Sequence, residues 1–471
     1  MKITKNTFEC RKQNKDTIIN HGESAEHKDH GNGQSDSRII EKDDINTNKP
    51  TVRMLERILS RKNMNRAYLK VKRNKGAGGV DKMEIDELLK HLTTHREEIL
   101  TSLLDGRYKP YPVKRVEIPK ENGKTRKLGI PTLTDRVIQQ AILQVLSPIY
   151  ENQFSDQSYG FRPNRGCHDA LKKCQEYANQ GYWYVIDMDL EKFFDTVNQS
   201  MLIEILSRTI EDNRVLSLIH KFLNAGIMDR GMFINSKKGV PQGGPLSPLL
   251  ANVMLNELDQ KLDKWGYRFV RYADDLMIFT KSKRAAERQY KRVSKLIEGK
   301  LRLRINKEKT KISKLNQVKY LGYAFYRIKG QCRFRVHPKS INKLKDKLRD
   351  VTSRSNGMSI EGRKTKLNQI LRGWVQYFKM TDMKGIMKSI DEWLRRRIRM
   401  ITWKRWKKVR TRFQNLQKLG VAKQKAWEWA NTRKGYWHVA NSWILATTLT
   451  NARFEKQGYL SFLKYYLKVR V

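Results

Sequence analysis

Phe269-Val-Arg-Tyr-Ala-Asp-Asp-Leu-Met-Ile-Phe279 sets two adjacent carboxylates, Asp274 and Asp275, between two apolar runs that favour strands. Asp tolerates turn conformations, so the stretch predicts a tight β-hairpin with the carboxylates at or beside its turn. A lone Asp-Asp pair is most often a solvated turn. Here the hydrophobic flanks argue for burial, and carboxylates held rigidly side by side repel each other unless a cation joins them.

A further carboxylate stands upstream, in Trp183-Tyr-Val-Ile-Asp-Met-Asp-Leu-Glu-Lys-Phe-Phe-Asp195. Tyr184, Val185 and Ile186 read as a strand, and Asp187 and Asp189 follow with period two, facing one side of its end. If Asp189 lies beside the Asp274-Asp275 turn, three carboxylates converge on a space suited to hard, oxygen-seeking Mg²⁺. Two such ions roughly 3.5–4 Å apart are a recurring device for in-line phosphoryl displacement.

These stretches resemble the palm of reverse transcriptases, specifically the maturase reverse transcriptases encoded by group II introns. Asp189-Leu-Glu-Lys-Phe-Phe-Asp195 is similar to the family's first palm motif, and Tyr272-Ala-Asp-Asp275 to its catalytic hairpin. Between them, Gly239-Val-Pro-Gln-Gly-Gly-Pro-Leu-Ser-Pro-Leu-Leu-Ala-Asn252 matches its template and nucleotide motif nearly word for word. The resemblance implies an α+β right-hand polymerase with fingers, a palm built on an antiparallel sheet and a helical thumb. It implies Asp189, Asp274 and Asp275 as catalytic residues, two Mg²⁺ (Mn²⁺ as substitute) held by them and by the Leu190 carbonyl, and dNTPs as substrates.

Composition agrees. The 97 Lys and Arg against 48 Asp and Glu give a net charge of +49, a field suited to a polyanion, above all nucleic acid. Cys10, Cys167, Cys174 and Cys332 form no paired ligand set and no disulfide ladder, which fits a reducing cytoplasm. The Cys167, His168 and Cys174 spacing is wrong for zinc and predicts helical packing. No apolar run reaches membrane-spanning length and no secretory leader is legible, so a soluble bacterial protein associated with RNA and nucleoid is expected.

Along the chain, residues 1–50 read as a disordered polar leader. Residues 51–335 read as fingers and palm, with 51–105 an N-terminal extension, and 336–471 as thumb and maturase X domain. Thr51 to Val71 predicts one amphipathic helix with Leu55, Ile58, Leu59, Ala67 and Leu69 on its apolar side. Asn74-Lys-Gly-Ala-Gly-Gly-Val-Asp81 lacks the order of a phosphate-binding P-loop and excludes that nucleotidase class. It resembles the family's template clamp, or is a plain glycine turn.

Asn122-Gly123 predicts a two-residue hairpin between basic arms, whose Lys120 and Arg126 can neutralise an incoming triphosphate. By similarity these are the fingers' nucleotide cations. Lys127 departs from the family's usual Pro. In Gln157-Ser-Tyr-Gly-Phe-Arg-Pro-Asn-Arg165, another close match, Arg162 and Arg165 either touch template or primer phosphate or brace the fingers. The resemblance implies Phe194 as an aromatic gate under the incoming sugar, with Phe193 the better core residue. It also implies Gln242 near the nucleotide, and Gly243 and Gly244 at a close backbone approach. Asn306-Lys-Glu-Lys-Thr-Lys-Ile312 resembles the motif that holds a lysine near the triphosphate, which implies Lys309 as cation or proton donor for the leaving pyrophosphate; the alternative is a plain surface lysine. Val318-Lys-Tyr-Leu-Gly-Tyr323 alternates like a strand and resembles the primer grip, with Tyr320 and Gly322 its contacts.

From residue 331 onward 35 basic residues face 8 acidic ones, and eight of the ten tryptophans fall there. Aromatics among cations suit RNA, although most of these Trp are expected to anchor helices. Arg372, Arg395, Arg396, Lys404 and Arg405 are the expected RNA contacts. No Cys/His cluster follows, which places the chain with the endonuclease-lacking branch. The expected function is RNA-directed DNA synthesis for an intron, coupled to binding of intron RNA, an RNA template with a DNA or RNA primer, and target DNA, as monomer or homodimer. A splicing factor with a decayed polymerase site, a retron enzyme and an RNA-dependent RNA polymerase are the alternatives. The intact carboxylates, the X-like thumb and Phe194 argue against each in turn.

Overall fold

Residues 53–119, 123 and 125–470 are described by a computed structural model. The strands are β1 (Val113–Pro119), β2 (Thr125–Ile130), β3 (Tyr184–Asp189), β4 (Ile227–Asp229), β5 (Met232–Ile234), β6 (Arg268–Tyr272), β7 (Asp275–Thr280), β8 (Lys311–Lys314), β9 (Lys319–Tyr320), β10 (Tyr323–Ile328) and β11 (Gln331–Val336). They form three sheets, ordered β2-β1-β4-β5, β6-β7-β3-β8 and β11-β10-β9, among a larger number of helices. This is the expected α+β class. The leader (1–50), Lys120 and Asn122 lie outside the described residues. The last described pair of the β1–β2 hairpin is Pro119 with Thr125.

Two compact units emerge. The first holds the described residues up to Gly166 together with Ile186–Ile278 and Glu287–Lys311. The second holds Cys167–Val185, Phe279–Ala286 and the chain from Ile312. The expected boundary at 335 therefore falls inside the second unit. Side-chain bonds explain why: Gln175 Nε2 donates to the Cys332 carbonyl and the Cys332 N–H to Asn179 Oδ1, both at 2.7 Å, tying the helix Cys167–Asn179 to β11.

In the first unit the helix Leu133–Glu151 buries Leu133, Val137, Ile138, Ala141, Ile142 and Leu146. Thr132 caps it, its Oγ1 accepting from the Asp135 N–H at 3.2 Å. Against it pack two helices, Met54–Leu59 and Arg61–Arg73, where one was expected. The chain turns extended at Ser60 (ψ 141°), which resets the helical phase. Asn63, Ala67 and Val71 face inward and Leu69 is left exposed, correcting its expected place on the apolar side. Asn63 Nδ2 donates to the carbonyls of Ile58 (2.8 Å) and Ala141 (3.0 Å), bridging the break. The helix Ser247–Lys264 buries Leu249, Leu250, Val253, Met254, Leu258 and Leu262, and starts with Pro248 in its first turn, where the missing N–H costs nothing.

In the second unit Val318–Tyr323 is not one strand, as expected. Leu321 (φ 49°) and Gly322 (φ 81°) make a left-handed two-residue turn that folds β10 back on β9, pairing Tyr323 with Tyr320. The helices Pro338–Val351, Ile360–Tyr377 and Lys384–Arg405 follow, then shorter helices to Val469. Trp403 is fully buried, whereas Trp427 and Trp443 are exposed, so the tryptophans divide between packing and surface.

Candidate active site

β6 ends at Tyr272 and β7 begins at Asp275, so the turn is Ala273-Asp274. Ala273 has φ 57°. A two-residue hairpin with a left-handed first residue favours glycine there, and an L-residue costs about 1–2 kcal/mol. The neighbouring strand residue supplies the restraint. Arg271, 1% exposed, donates from one guanidinium nitrogen to the Ala273 carbonyl (2.9 Å) and to Asn252 Oδ1 (3.0 Å). Its other nitrogens engage Asp259, Nε lying 2.8 and 2.9 Å from the two carboxylate oxygens. Removing one member of such a buried pair costs roughly 3–5 kcal/mol. Asn252 Nδ2 donates in turn to the Gly160 carbonyl (2.9 Å). Gly160 lies against the turn so closely that a Cβ there would meet the Ala273 nitrogen at 2.2 Å.

β7 and β3 are neighbours in their sheet, which brings Asp275 into the company of Asp187 and Asp189. Burial, reinforced by Asp274, Asp187 and Asp189, pushes the Asp275 carboxyl up to about 7. Burial and Asp189 push Asp187 up to about 6. Asp189 is held by its backbone: its N–H donates to Thr310 Oγ1 (3.2 Å) and its carbonyl accepts from the Asn306 N–H (2.9 Å). Lys309 Nζ donates to both Asp189 carboxylate oxygens, at 3.0 and 3.2 Å. Among the described residues no three His, Cys, Asp or Glu side chains are already gathered into a metal cage. The chemistry nevertheless fits a hard cation: an oxygen-only cluster of mutually repelling carboxylates whose present counter-charge is an ammonium group.

Other expected site residues lie in the same first unit. Leu190 pairs with Ile305 through bonds made by its neighbours, Asn306 N–H to Asp189 O and Glu191 N–H to Arg304 O, so its own carbonyl stays outside that ladder. Phe193 is buried and Phe194 half-buried, their rings edge to face at 5.3 Å. The Val240 N–H donates to the Phe194 carbonyl at 2.6 Å, fastening the 239–252 loop to this segment. Gln242 gives its carbonyl to the Gly129 N–H (2.7 Å). Gly243 (φ 126°) lies where a Cβ would meet the Gly129 carbonyl at 2.4 Å, so β2 is what its lack of a side chain accommodates. Arg126 is exposed on β2.

Arg162 is buried, its guanidinium committed to Glu151 Oε1 (2.7 and 2.9 Å) and to the carbonyls of Ser155, Ser158 and Glu151. Of its two expected roles, these contacts support the brace. Arg165 binds Asp156 (2.7 Å) and keeps partial exposure. In the second unit Tyr320 is buried, and a Cβ on Gly322 would meet Phe378 and Ser340 at 3.2 Å. Arg395 is also buried, donating to the Leu460 carbonyl (3.2 Å) 5.6 Å from the Phe454 ring, which corrects its expected RNA contact. It sits between Leu394 and Ile398 on the inward side of its helix. Arg396 stacks 3.9 Å from the Trp437 ring and Lys404 Nζ donates to the Arg354 carbonyl (2.7 Å). Arg372 and Arg405 present exposed cations.

Sequence reasoning missed the Arg271–Asp259–Asn252 group. Its signal was available: a charged residue amid the apolar Phe269-Val270 strand, and two polar residues seven apart on a buried helix face.

A hairpin bearing paired carboxylates, set beside a strand that ends in a third, defines a nucleic-acid polymerase palm. Residues 118–325 match the reverse transcriptase (RNA-dependent DNA polymerase) family, and residues 341–420 match the group II intron maturase-specific domain. Protein YkfC of Escherichia coli K12 is 37% identical over 291 residues, covering 53% of this chain and 76% of YkfC. The group II intron-encoded protein LtrA of Lactococcus lactis is 35% identical over 311 residues, covering 59% of this chain and 51% of LtrA, so the chain spans about half of that relative's length. Among solved structures, a partial Cas6-RT-Cas1–Cas2 complex aligns over 52% of this chain and 43% of that one at 24% identity and a TM-score of 0.35, too loose to decide anything. The chain belongs to the group II intron-encoded reverse transcriptases with a maturase domain.

Proposed function

We propose that the chain is an RNA-directed DNA polymerase that also binds intron RNA to assist splicing and mobility. The observation that carries the polymerase reading is the gathering of Asp275 with Asp187 and Asp189, beside Asp274 and Lys309. In the proposed reaction a primer 3′-hydroxyl attacks the α-phosphate of a template-paired dNTP, the new P–O bond forms and pyrophosphate leaves. Asp189, Asp274, Asp275 and the Leu190 carbonyl would hold two Mg²⁺ or Mn²⁺, which supply charge neutralisation and an acidified attacking hydroxyl. Lys309, released from Asp189, is placed to neutralise or protonate the leaving group. Phe194 lines the sugar side and Gln242 the base side. No side-chain nucleophile is needed, and positioning with electrostatics supplies the acceleration.

The basic helices from Pro338 onward are the proposed RNA surface, with Arg372 and Arg405 outward and Arg396 on Trp437. Target DNA is the further proposed partner. Among the described residues no helix is long and apolar enough to cross a membrane.

Primer extension on an RNA template tests this reading. Wild type is expected to prefer dNTPs over NTPs, and Phe194→Ala to narrow that preference. Equal use of NTPs points to an RNA polymerase. Tight RNA binding without any incorporation leaves the splicing-factor reading.

A further inference from the structure

We infer that Arg271, seated on Asp259 and Asn252, is a positioning residue that holds the Ala273-Asp274 turn in its left-handed form and thereby sets where Asp274 and Asp275 present their carboxylates. The inference rests on the polymerase reading of that site.

Each nitrogen of the Arg271 guanidinium is allocated. Nε and one terminal nitrogen are anchored on Asp259, and the other terminal nitrogen reaches the Ala273 carbonyl and Asn252. The Ala273 carbonyl belongs to the peptide that joins Ala273 to Asp274, so fixing it fixes the orientation from which the Asp274 side chain departs. Asn252 closes the other wall, because the same amide that accepts from Arg271 donates to Gly160, and Gly160 abuts the Ala273 nitrogen. Backbone bonds complete the frame: the Arg271 N–H donates to the Gln157 carbonyl and the Tyr159 N–H to the Arg271 carbonyl, both at 2.9 Å.

Two forces oppose this placement. Alanine resists the left-handed conformation, and the carboxylates of Asp274, Asp187 and Asp189 repel that of Asp275 beside the turn. A buried arginine with a bidentate anchor is suited to resist both, since its planar fork has little freedom to reorient.

The test removes both charges together, Arg271→Met with Asp259→Leu, so that no orphaned charge is buried. Hydrogen–deuterium exchange of the peptide spanning 268–280 is followed in the full chain without metal. Exchange of the turn amides is expected to accelerate about tenfold or more. In primer extension, kcat is expected to fall roughly 10²-fold through misplacement, with KM for dNTP little changed. Adding Ala273→Gly to this variant is expected to recover about fivefold in kcat, because glycine adopts the left-handed turn without steric cost. Should the double variant not fold, Asn252→Ala carries the same test with smaller changes of the same sign. Unchanged turn exchange overturns the inference, as does a kcat equal to wild type. A wild type that incorporates no dNTP sinks the polymerase reading alone, and turn exchange still decides the role of Arg271.

Discussion

Lys309 Nζ grips both carboxylate oxygens of Asp189, at 3.0 and 3.2 Å, where a divalent cation is proposed to bind. The lysine side chain is 64% exposed, and an ion pair so open to water is worth only about 0.2–1 kcal/mol. It quiets the repulsion among the carboxylates yet yields easily. Lys309 and the cation therefore compete for one anion.

Replacing Lys309 by Met frees Asp189 for the cation. The half-saturating Mg²⁺ concentration, followed as thermal stabilisation without substrate, is expected to drop by about two- to fivefold, the weight of one exposed pair. A higher Mg²⁺ requirement in the variant contradicts the competition.

Asp135 gives a pH signature. It is buried and accepts from Thr132 Oγ1 (2.6 Å), the Tyr108 hydroxyl (2.8 Å) and the Tyr111 N–H (3.2 Å). Burial outweighs these bonds and pushes its carboxyl up from 3.8 to about 6. A folded value above the unfolded one means that the fold favours the protonated acid. That contribution is present below about pH 4 and is lost as pH rises through about 6, on the order of 2–3 kcal/mol in all. Asp135→Asn does not titrate, so the stability of wild type relative to this variant should decline between pH 4 and pH 7 in denaturant melts. A flat difference across that range refutes the assignment.

Arg162 and Arg405 separate structural from surface cations. Arg162→Ala removes the nearer of Glu151's two cations, takes the guanidinium donor from the Ser155 and Ser158 carbonyls, and should lower unfolding stability by roughly 3 kcal/mol, leaving RNA affinity per folded molecule alone. Arg405→Ala should leave stability alone, weaken RNA binding evenly across sequences and reduce the slope of log affinity against log salt by about 1. Melting curves and a salt series check both, and exchanged phenotypes contradict the division.

The sequence carried the chemistry better than the scaffold. Asp274 and Asp275 are adjacent, and Asp187 and Asp189 alternate on one strand, so spacing showed each pair, while their meeting came from the resemblance of both stretches to one family. The α+β class followed from the same strands. Arg271 and its partners stayed hidden because Asp259, Asn252 and Gly160 lie 12, 19 and 111 residues away along the chain, and only burial reveals that one guanidinium joins them. Leu69 and the 318–323 stretch were misread for a local reason. A single extended residue at Ser60 and a left-handed pair at Leu321-Gly322 break a period that hydrophobic pattern alone continues. Arg395 read as an RNA contact, and Arg162 stayed between phosphate contact and brace, because charge in a sequence does not disclose a buried partner.

The most direct test of the carboxylate site compares wild type with the Asp274→Ala/Asp275→Ala variant in Mg²⁺-dependent primer extension on RNA, with RNA affinity measured in parallel. Loss of DNA synthesis by roughly 10³-fold or more, with RNA binding retained, is expected if these carboxylates carry the chemistry. A variant that extends the primer as fast as wild type contradicts it.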